Sequence, residues 1–232
     1  EQDDFIEAGD SFANQYRAVI AFAGILEARG EIIESNNFYE LAENLRNQFE
    51  NNWYDDSVER YIRGFDEFGN YKTDFGHENS FFMPMKQITD LDYRTFNYID
   101  FCHNSVAFPY GDNYTQWDYN SGINIEAKTY LPQMGYFNNK ISVGWHWLKN
   151  IMDSNHSYPE VSFLIIGNII TGMMGISANA PNNLITSLSK LNYEVDWIQI
   201  DDIPIGENHV TIRHDGQLQS TFINNSGGNI FW

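Results

Sequence analysis

The fold is decided by the stretch SFANQYRAVIAFAGILEAR, residues 11–29, together with the segment that follows it. Its apolar residues recur at steps of three and four, as on the buried face of an α-helix. They are Phe12, Tyr16, Val19, Ile20, Ala23 and Leu26. Gly30 follows as a stop signal, and Ser35 is expected to cap a second helix of the same period that ends near residue 51. The pattern predicts an antiparallel helical hairpin.

Helical patterns continue, with interruptions, to about residue 176. The turn at 66–70 separates residues 61–65 from residues 71–74, which are predicted to be short strands or extended arms, and residues 75–85 are predicted to form an irregular aromatic loop. Weaker helices are predicted at 91–102, 123–131 and 140–152. An almost wholly apolar helix follows at 161–173, and we expect it to be buried.

After residue 180 the period changes from that of a helix to that of a strand. Short alternating or β-branched segments predict strands at 184–191, 194–200, 209–214 and 217–223. Asp215-Gly216 predicts a hairpin turn between the last two strands. The expected fold class is therefore mainly α, with antiparallel helical hairpins in residues 1–180 and a C-terminal β-strand subdomain in residues 181–232.

The charge and the cysteine content exclude several classes of function. The chain has 32 acidic and 13 basic residues, a formal net charge of −19, and no cluster of Lys and Arg. Nucleic acid and anionic membrane surfaces are therefore not expected partners. The apolar run at 161–170 is too short to span a bilayer. Cys102 is the single cysteine, so we expect neither an intramolecular disulfide nor a cysteine zinc cluster, and predict a buried residue.

The first candidate site is Glu7-Ala8-Gly9-Asp10, immediately before the first helix. One interpretation is that Asp10 or Ser11 caps the helix while Glu7 is solvated. The other is that Asp10, with Gly9 giving close backbone approach, is a general acid for a glycosidic oxygen, and that Glu7 binds the substrate. The residues alone leave both interpretations open.

The second candidate site is the segment FGHENSFFMP, residues 75–84. His77 and Glu78 are predicted either to bind sugar hydroxyls or to supply a second carboxylate facing Asp10. The alternative is a loop whose polar groups satisfy one another. No second His stands four residues after His77 and no Asp cluster is near, so no metal site is predicted.

The third candidate site joins GWHW, residues 144–147, to NHSYPEVSF, residues 155–163. Sugar rings stack on aromatic faces, so Trp145, Trp147 and Tyr158 are predicted to bind substrate, although aromatic residues also fill protein cores. Glu160 is expected in the first turn of a helix, where the helix dipole alone would explain a carboxylate.

These segments resemble known enzymes. Glu7-Ala8-Gly9-Asp10 before a long helix resembles the Glu-Ser-Gly-Trp-Asp segment of trehalases and processing α-glucosidases, although it lacks the Trp. It is more loosely similar to the Asp-Trp-Asn-Asp segment of cellobiose phosphorylases. The turn at 63–70 followed by His77-Glu78-Asn79 resembles their Arg-Ala-Phe-Asp-Asp-Asp-Gly turn and Ser-His-Glu-Asn loop. The resemblance to this six-hairpin glycosidase superfamily implies an (α/α)6 toroid, with Asp10 as the catalytic acid.

In the same superfamily the second carboxylate commonly precedes a late helix, which implies Glu160 as the base, with Glu78 as the alternative. The resemblance implies an inverting glycoside hydrolase without cofactor or metal, secreted or periplasmic, acting in carbohydrate metabolism. Its alternatives are a glycoside phosphorylase, a non-catalytic carbohydrate-binding protein and a polysaccharide lyase. Residues 1–176 hold about three to four hairpins, too few to close the ring. We therefore expect this chain to be the C-terminal part, completed by a missing N-terminal segment or a partner chain.

Overall fold

The structure is a computed structural model that describes residues 4–107, 125–154 and 159–232. In these ranges helices dominate up to residue 173, and antiparallel strands dominate after it. The predicted change from helices to strands is therefore confirmed. Within the same ranges, no helix has the length and apolar character needed to cross a membrane.

The chain forms two compact units, Glu1–Lys128 and Thr129–Trp232. This boundary lies earlier than the one predicted at residue 180. The reason is that the end of the last helical segment and the strands that follow share one apolar core. That core contains Met174, Ile176, Ile185, Ile205, Val210 and Ile212. The strands therefore belong with the preceding helices rather than forming a separate subdomain.

Helices α1 (Gly9–Ala28) and α2 (Ile32–Asn52) form the predicted antiparallel hairpin. Gly30 joins them with a φ of +80°, which lies in the left-handed region that favours glycine. Two aromatic pairs connect opposite ends of the helices: Phe22 with Phe38, and Phe12 with Phe49. An early residue of one helix thus meets a late residue of the other, as an antiparallel pair requires.

The prediction that Ser35 caps the second helix is wrong, because α2 begins three residues earlier, at Ile32. Ser35 is buried inside the hairpin, where its hydroxyl donates a hydrogen bond of 2.9 Å to the carbonyl oxygen of Ala23. A serine hydroxyl can satisfy a backbone carbonyl as well as a helix N-terminus, and the sequence pattern does not distinguish the two roles.

Short strands frame the hairpin in the first unit. They are β1 (Glu7–Ala8), β2 (Tyr54–Asp55), β3 (Arg60–Tyr61), β4 (Gly64–Phe65) and β5 (Tyr71–Lys72). Strand β4 pairs with both β1 and β5, and β2 pairs with β3. The predicted turn between β4 and β5 is present, since the carboxylate of Asp66 accepts from the backbone N–H groups of Phe68 and Asn70. The β1–β4 pairing brings the start of α1 beside the segment that leads to the next helix.

Part of the predicted aromatic loop is a helix, α3 (Glu78–Met85), so that prediction was wrong. Polar residues at its start and Pro84 near its end conceal the helical pattern in the sequence. Phe81 and Met85, one helical turn apart, are both buried, and this packing favours the helix. Helices α4 (Tyr93–Ala107) and α5 (Ile125–Lys128) complete the described part of the unit.

The second unit begins with helices. They are α6 (Leu131–Phe137), α7 (Ile141–Asp153) and α8 (Pro159–Gly167), and a π-helical segment, Asn168–Met173, continues α8. A Cβ on Gly135 of α6 would lie 2.3 Å from the backbone nitrogen of Gly144 of α7, so the two backbones are in direct contact. The expected full burial of the apolar helix is wrong, because Phe163 and Ile166 are 71% and 56% exposed.

Antiparallel strands complete the second unit. They are β6 (Ser177–Asn179), β7 (Leu184–Thr186), β8 (Trp197–Ile205), β9 (Asn208–Asp215) and β10 (Gln219–Ser226). Strand β9 lies between β8 and β10, and β6 pairs with β7. The hairpin turn predicted at Asp215-Gly216 is confirmed, with a φ of +63° at Gly216. The first predicted strand is shorter than expected and ends at Thr186.

A histidine is fully buried on the central strand β9. Nε2 of His214 lies 2.9 Å from the hydroxyl of Ser187, and Nδ1 lies 2.7 Å from the hydroxyl of Ser220. Burial lowers the pKa of His214 below its ordinary value of 6.5, although hydrogen bonding to the carbonyl oxygen of Met174 and the charge of Asp215 act in the opposite direction.

We expect the chain to lose stability through His214 when the pH falls below 6.5. With a folded pKa lower than the unfolded one, the unfolded state binds the proton more tightly. The contribution of neutral His214 to the free energy of unfolding is therefore fully present above pH 6.5 and is lost as the pH falls through the folded pKa. It amounts to about 1.4 kcal/mol for each unit by which the folded pKa lies below the unfolded pKa. Thermal unfolding at several pH values should show a weaker pH dependence in His214→Gln. The control is His209→Gln, on the same strand but exposed; an unchanged slope in His214→Gln would contradict the assignment.

Candidate functional site

Asp10 lies in the first turn of α1 without capping that helix. The N-cap residue is Ala8, and no side chain supplies a capping hydrogen bond. The backbone N–H of Gly9 donates instead to the carbonyl oxygen of Arg63, at 2.9 Å. The capping interpretation of Asp10 and Ser11 is therefore wrong. The half-buried carboxyl group of Asp10 lies where the helix dipole favours negative charge.

The carboxyl group of Asp10 contacts the side chain of Asn79. Oδ1 of Asp10 accepts a hydrogen bond of 2.7 Å from Nδ2 of Asn79. The amide orientation follows from chemistry, because only the NH2 end can donate to a carboxylate. Asn79 is 2% exposed, and among the described residues its Oδ1 has no hydrogen-bond partner. Such a buried polar atom costs about 1–3 kcal/mol, so Asn79 carries a stability cost at its oxygen while its nitrogen binds Asp10.

Gly9 allows α1 and α3 to approach closely at this contact. A Cβ at position 9 would lie 2.6 Å from Sδ of Met83 and 2.7 Å from the carbonyl oxygen of Asn79. The backbone oxygen belongs to the helix and cannot move aside as a flexible side chain can. A side chain at position 9 would therefore push Asp10 away from Asn79.

His77 precedes α3 in a strained conformation. Its φ of +50° and ψ of −125° are unusual for a residue with a side chain, and such outliers cost on the order of 1–3 kcal/mol. The imidazole stacks on Phe75 with 5.8 Å between ring centroids. Beside it, the backbone N–H of Gly76 donates to the hydroxyl of Ser80 at 2.9 Å. These contacts hold the start of α3, and the predicted sugar-binding role of His77 stays a prediction.

The His77-Glu78-Asn79 segment reaches Asp10 through Asn79, a residue for which no role was predicted from the sequence. Consecutive side chains on a helix point about 100° apart, so Glu78 and Asn79 face different directions. Glu78 is half-buried in the first turn of α3. Its role as a second carboxylate stays a prediction. So does the substrate-binding role of Glu7, which is exposed on β1.

Arg63 links the elements of this site, although no role was predicted for it from the sequence. Its Nε and Nη2 donate to the two carboxylate oxygens of Asp74 at 2.9 and 3.2 Å. The side chain is 5% exposed, and a Cβ on Gly76 would lie 2.5 Å from its guanidinium. With its carbonyl oxygen bound to the N–H of Gly9, Arg63 connects the start of α1 to the loop before α3. The one feature of the sequence that could have indicated a role for Arg63 is its position just before the turn at 66–70.

Glu50, at the end of α2, is a carboxyl group with a shifted pKa. Burial raises its pKa, although hydrogen bonds from the backbone N–H of Asp90 and the hydroxyl of Tyr61 oppose the shift. Those bonds measure 2.8 and 2.9 Å. Because both partners are structural groups, packing explains this shift without any role in catalysis.

The remaining predicted site residues belong to the second unit. Trp147 is fully buried, so its ring cannot stack on a sugar, and that prediction was wrong. Its position on the inner face of α7 explains the burial. Trp145 is half-buried against a cluster that includes Tyr136. Glu160 lies in the first turn of α8, as predicted. Tyr158 lies outside the described residues.

Three further expectations concern the cysteine, a metal site and the second carboxylate. Cys102 is buried, as expected, and burial raises the pKa of its thiol. Within residues 4–107, 125–154 and 159–232, no three His, Cys, Asp or Glu side chains are grouped to hold a metal ion. The pairing of Asp10 with Glu160 stays a prediction.

In comparisons with known proteins, no protein-family model matches the chain, and no curated protein matches it. The relationship to six-hairpin glycosidases therefore stays a resemblance, carried chiefly by residues 7–10 and 63–79.

Proposed function

We propose that this chain is a glycoside hydrolase, or the C-terminal part of one, in which Asp10 is the general acid. The observation that carries the proposal is the hydrogen bond of 2.7 Å from Asn79 to Asp10. It holds a carboxyl group that does not cap its own helix, in the segment that resembles the catalytic-acid segment of trehalases. Gly9 and Arg63 support it by bringing the start of α1 against the start of α3.

The proposed reaction is an inverting hydrolysis. Asp10 gives its proton to the glycosidic oxygen while the bond from that oxygen to the anomeric carbon breaks. A water molecule attacks the same carbon from the opposite face, and the second carboxylate accepts the proton of that water. Glu78, in the same unit, would be this base, at about 6.5–9.5 Å from the carboxyl group of Asp10; the role of Glu160 as the base stays a prediction.

The proposal extends to the architecture. The α1–α2 hairpin and the later helices would form part of an (α/α)6 toroid, whose remaining hairpins come from another segment of the polypeptide or from a partner chain. Apolar side chains exposed on the hairpin agree with such a contact; they are Phe22, Ile25, Ile32, Ile33 and Leu41. We further propose a carbohydrate substrate and a secreted or periplasmic location.

A substrate panel tests the proposed function. The chain, and any longer polypeptide that contains it, is incubated with aryl glycosides of both anomeric configurations and with common disaccharides. Each reaction is run with and without inorganic phosphate, and the released sugars are followed by proton NMR. We expect a free sugar of inverted anomeric configuration, formed at a rate independent of phosphate.

Other outcomes would replace the proposal. A sugar 1-phosphate formed only with phosphate present would identify a phosphorylase, and an unsaturated sugar product would identify a lyase. Saturable binding without turnover would identify a carbohydrate-binding protein. Retention of anomeric configuration would keep the hydrolase and exclude the inverting mechanism.

A further inference from the structure

The side-chain amide of Asn79 contacts one of the two carboxyl oxygens of Asp10. This contact determines which of the two oxygens carries the proton when the carboxyl group is protonated. A protonated carboxyl group has one hydroxyl oxygen and one carbonyl oxygen. An amide N–H donates to the carbonyl oxygen, because the hydroxyl oxygen already carries the hydrogen. Since Nδ2 of Asn79 lies 2.7 Å from Oδ1 of Asp10, the favoured place for the proton is Oδ2.

We infer that Asn79 is a positioning residue that keeps the transferable proton of Asp10 on Oδ2 and holds the carboxyl group in one orientation. The inference rests on the proposed function, in which Asp10 is the general acid. Asn79 itself exchanges no proton with the substrate. It acts through Asp10, and an acid held in one orientation transfers its proton more efficiently than one that rotates.

Three unusual features lie at or beside this contact. Oδ1 of Asn79 is buried without a hydrogen-bond partner among the described residues. His77, two residues earlier, takes a left-handed backbone conformation. Position 9 tolerates no side chain. Unfavourable features of this kind are typical of functional sites, where geometry is kept at the expense of stability.

A purely structural role for Asn79 and a positioning role predict different effects on stability when its side chain is replaced. If the hydrogen bond only joined α1 to α3, its removal would destabilise the fold. If Asn79 positions Asp10, then Asn79→Leu, which has a similar shape and removes the unpaired oxygen, should leave stability nearly unchanged. The catalytic constant should fall in the folded protein.

Asn168 provides a matched control in the second unit. It is 1% exposed, its Nδ2 donates to the carbonyl oxygen of Thr129 at 3.1 Å, and its Oδ1 also has no hydrogen-bond partner among the described residues. Asn168→Leu therefore makes the same chemical change in the same degree of burial. The amide removed by Asn168→Leu, however, contacts a backbone carbonyl group rather than a carboxyl group.

The test measures kcat, KM and Tm on a substrate from the panel. For Asn79→Leu we expect kcat to fall about 10- to 100-fold, KM to change less than about threefold, and Tm to stay within about 4 °C of wild type. Asn168→Leu should keep the wild-type kcat per folded molecule. A large fall in Tm with an unchanged kcat in Asn79→Leu would overturn the inference.

A second measurement distinguishes the failure of the inference from the failure of the proposed function. A wild-type chain that hydrolyses nothing would overturn the proposed function, and the inference with it, whereas the following result overturns the inference alone. The double variant Asp10→Ala with Asn79→Leu removes both polar groups. A Tm equal to or above that of the wild type would show that the pair is kept at the expense of stability, as the inference requires. A clearly lower Tm would show a structural latch and overturn it.

Discussion

Asp10→Asn is expected to lower kcat by about 10²–10⁴-fold on glycosides whose leaving group needs a proton, such as disaccharides and methylphenyl glycosides. The amide of Asn has no acidic proton to give to the leaving oxygen, so the bond to the anomeric carbon must break without assistance. KM should change little, because the two side chains are almost the same size. Steady-state rates at several substrate concentrations separate the two constants.

Glu27→Gln is the matched control for this variant. It also converts a carboxyl group into an amide on α1, but Glu27 lies near the other end of the helix and accepts a hydrogen bond from Tyr39 on the surface. We expect wild-type kcat and KM for Glu27→Gln. If Asp10→Asn also keeps the wild-type kcat, Asp10 is not the general acid, and the proposed mechanism is wrong.

Phe49→Ala is expected to destabilise the first unit by about 3–5 kcal/mol. Phe49 is fully buried in α2 and lies at the centre of an aromatic cluster that joins the hairpin to the short strands. Its ring contacts those of Phe12, Trp53 and Tyr61 at centroid distances of 5.7, 5.5 and 5.6 Å. Removing it leaves a cavity that three rings cannot fill.

Urea unfolding followed by circular dichroism measures this loss of stability. The control is Phe68→Ala in the same unit, where the side chain is 81% exposed; we expect a change within about 0.5 kcal/mol. A loss below about 1 kcal/mol for Phe49→Ala would contradict the packing described for the cluster.

Local periodicity was enough to predict α1, α2 and the strand-rich end of the chain. The three- and four-residue spacing from Phe12 to Leu26 reflects a real buried face, and Gly216 is in the turn where the pattern required it. The same reasoning missed α3, because its polar first turn and Pro84 resemble a loop. Burial of Phe81 favours the helix, and burial depends on contacts that a single-sequence pattern does not contain.

The exposed face of α8 also shows that burial cannot be predicted from a sequence pattern alone, here because less of the helix is buried than predicted. The apolar run at 161–173 predicts full burial, yet Phe163 and Ile166 are exposed on the second unit. Hydrophobicity predicts that a helix packs on one side; it does not determine how much of its circumference is covered.

The candidate site was predicted in part. Asp10 was identified from its neighbours and from the resemblance of its segment. Glu78 was expected to face Asp10, as the alternative to Glu160, and that role stays a prediction; the hydrogen bond to Asp10 comes from the next residue, Asn79. The difference of one position matters because consecutive helical residues point about 100° apart. A sequence that places residues 75–85 in a loop cannot specify that direction. Trp147 was chosen for its aromatic ring, whose burial depends on the packing of α7.

The most direct test of the central claim is the leaving-group dependence of hydrolysis by Asp10→Asn. A dinitrophenyl leaving group departs without a proton, whereas a methylphenyl group needs one. If Asp10 is the general acid, kcat/KM of the variant should approach the wild-type value for the dinitrophenyl glycoside and fall about 10²–10⁴-fold for the methylphenyl glycoside. An equal loss for both glycosides, or no loss for either, would contradict the assignment of Asp10 as the acid.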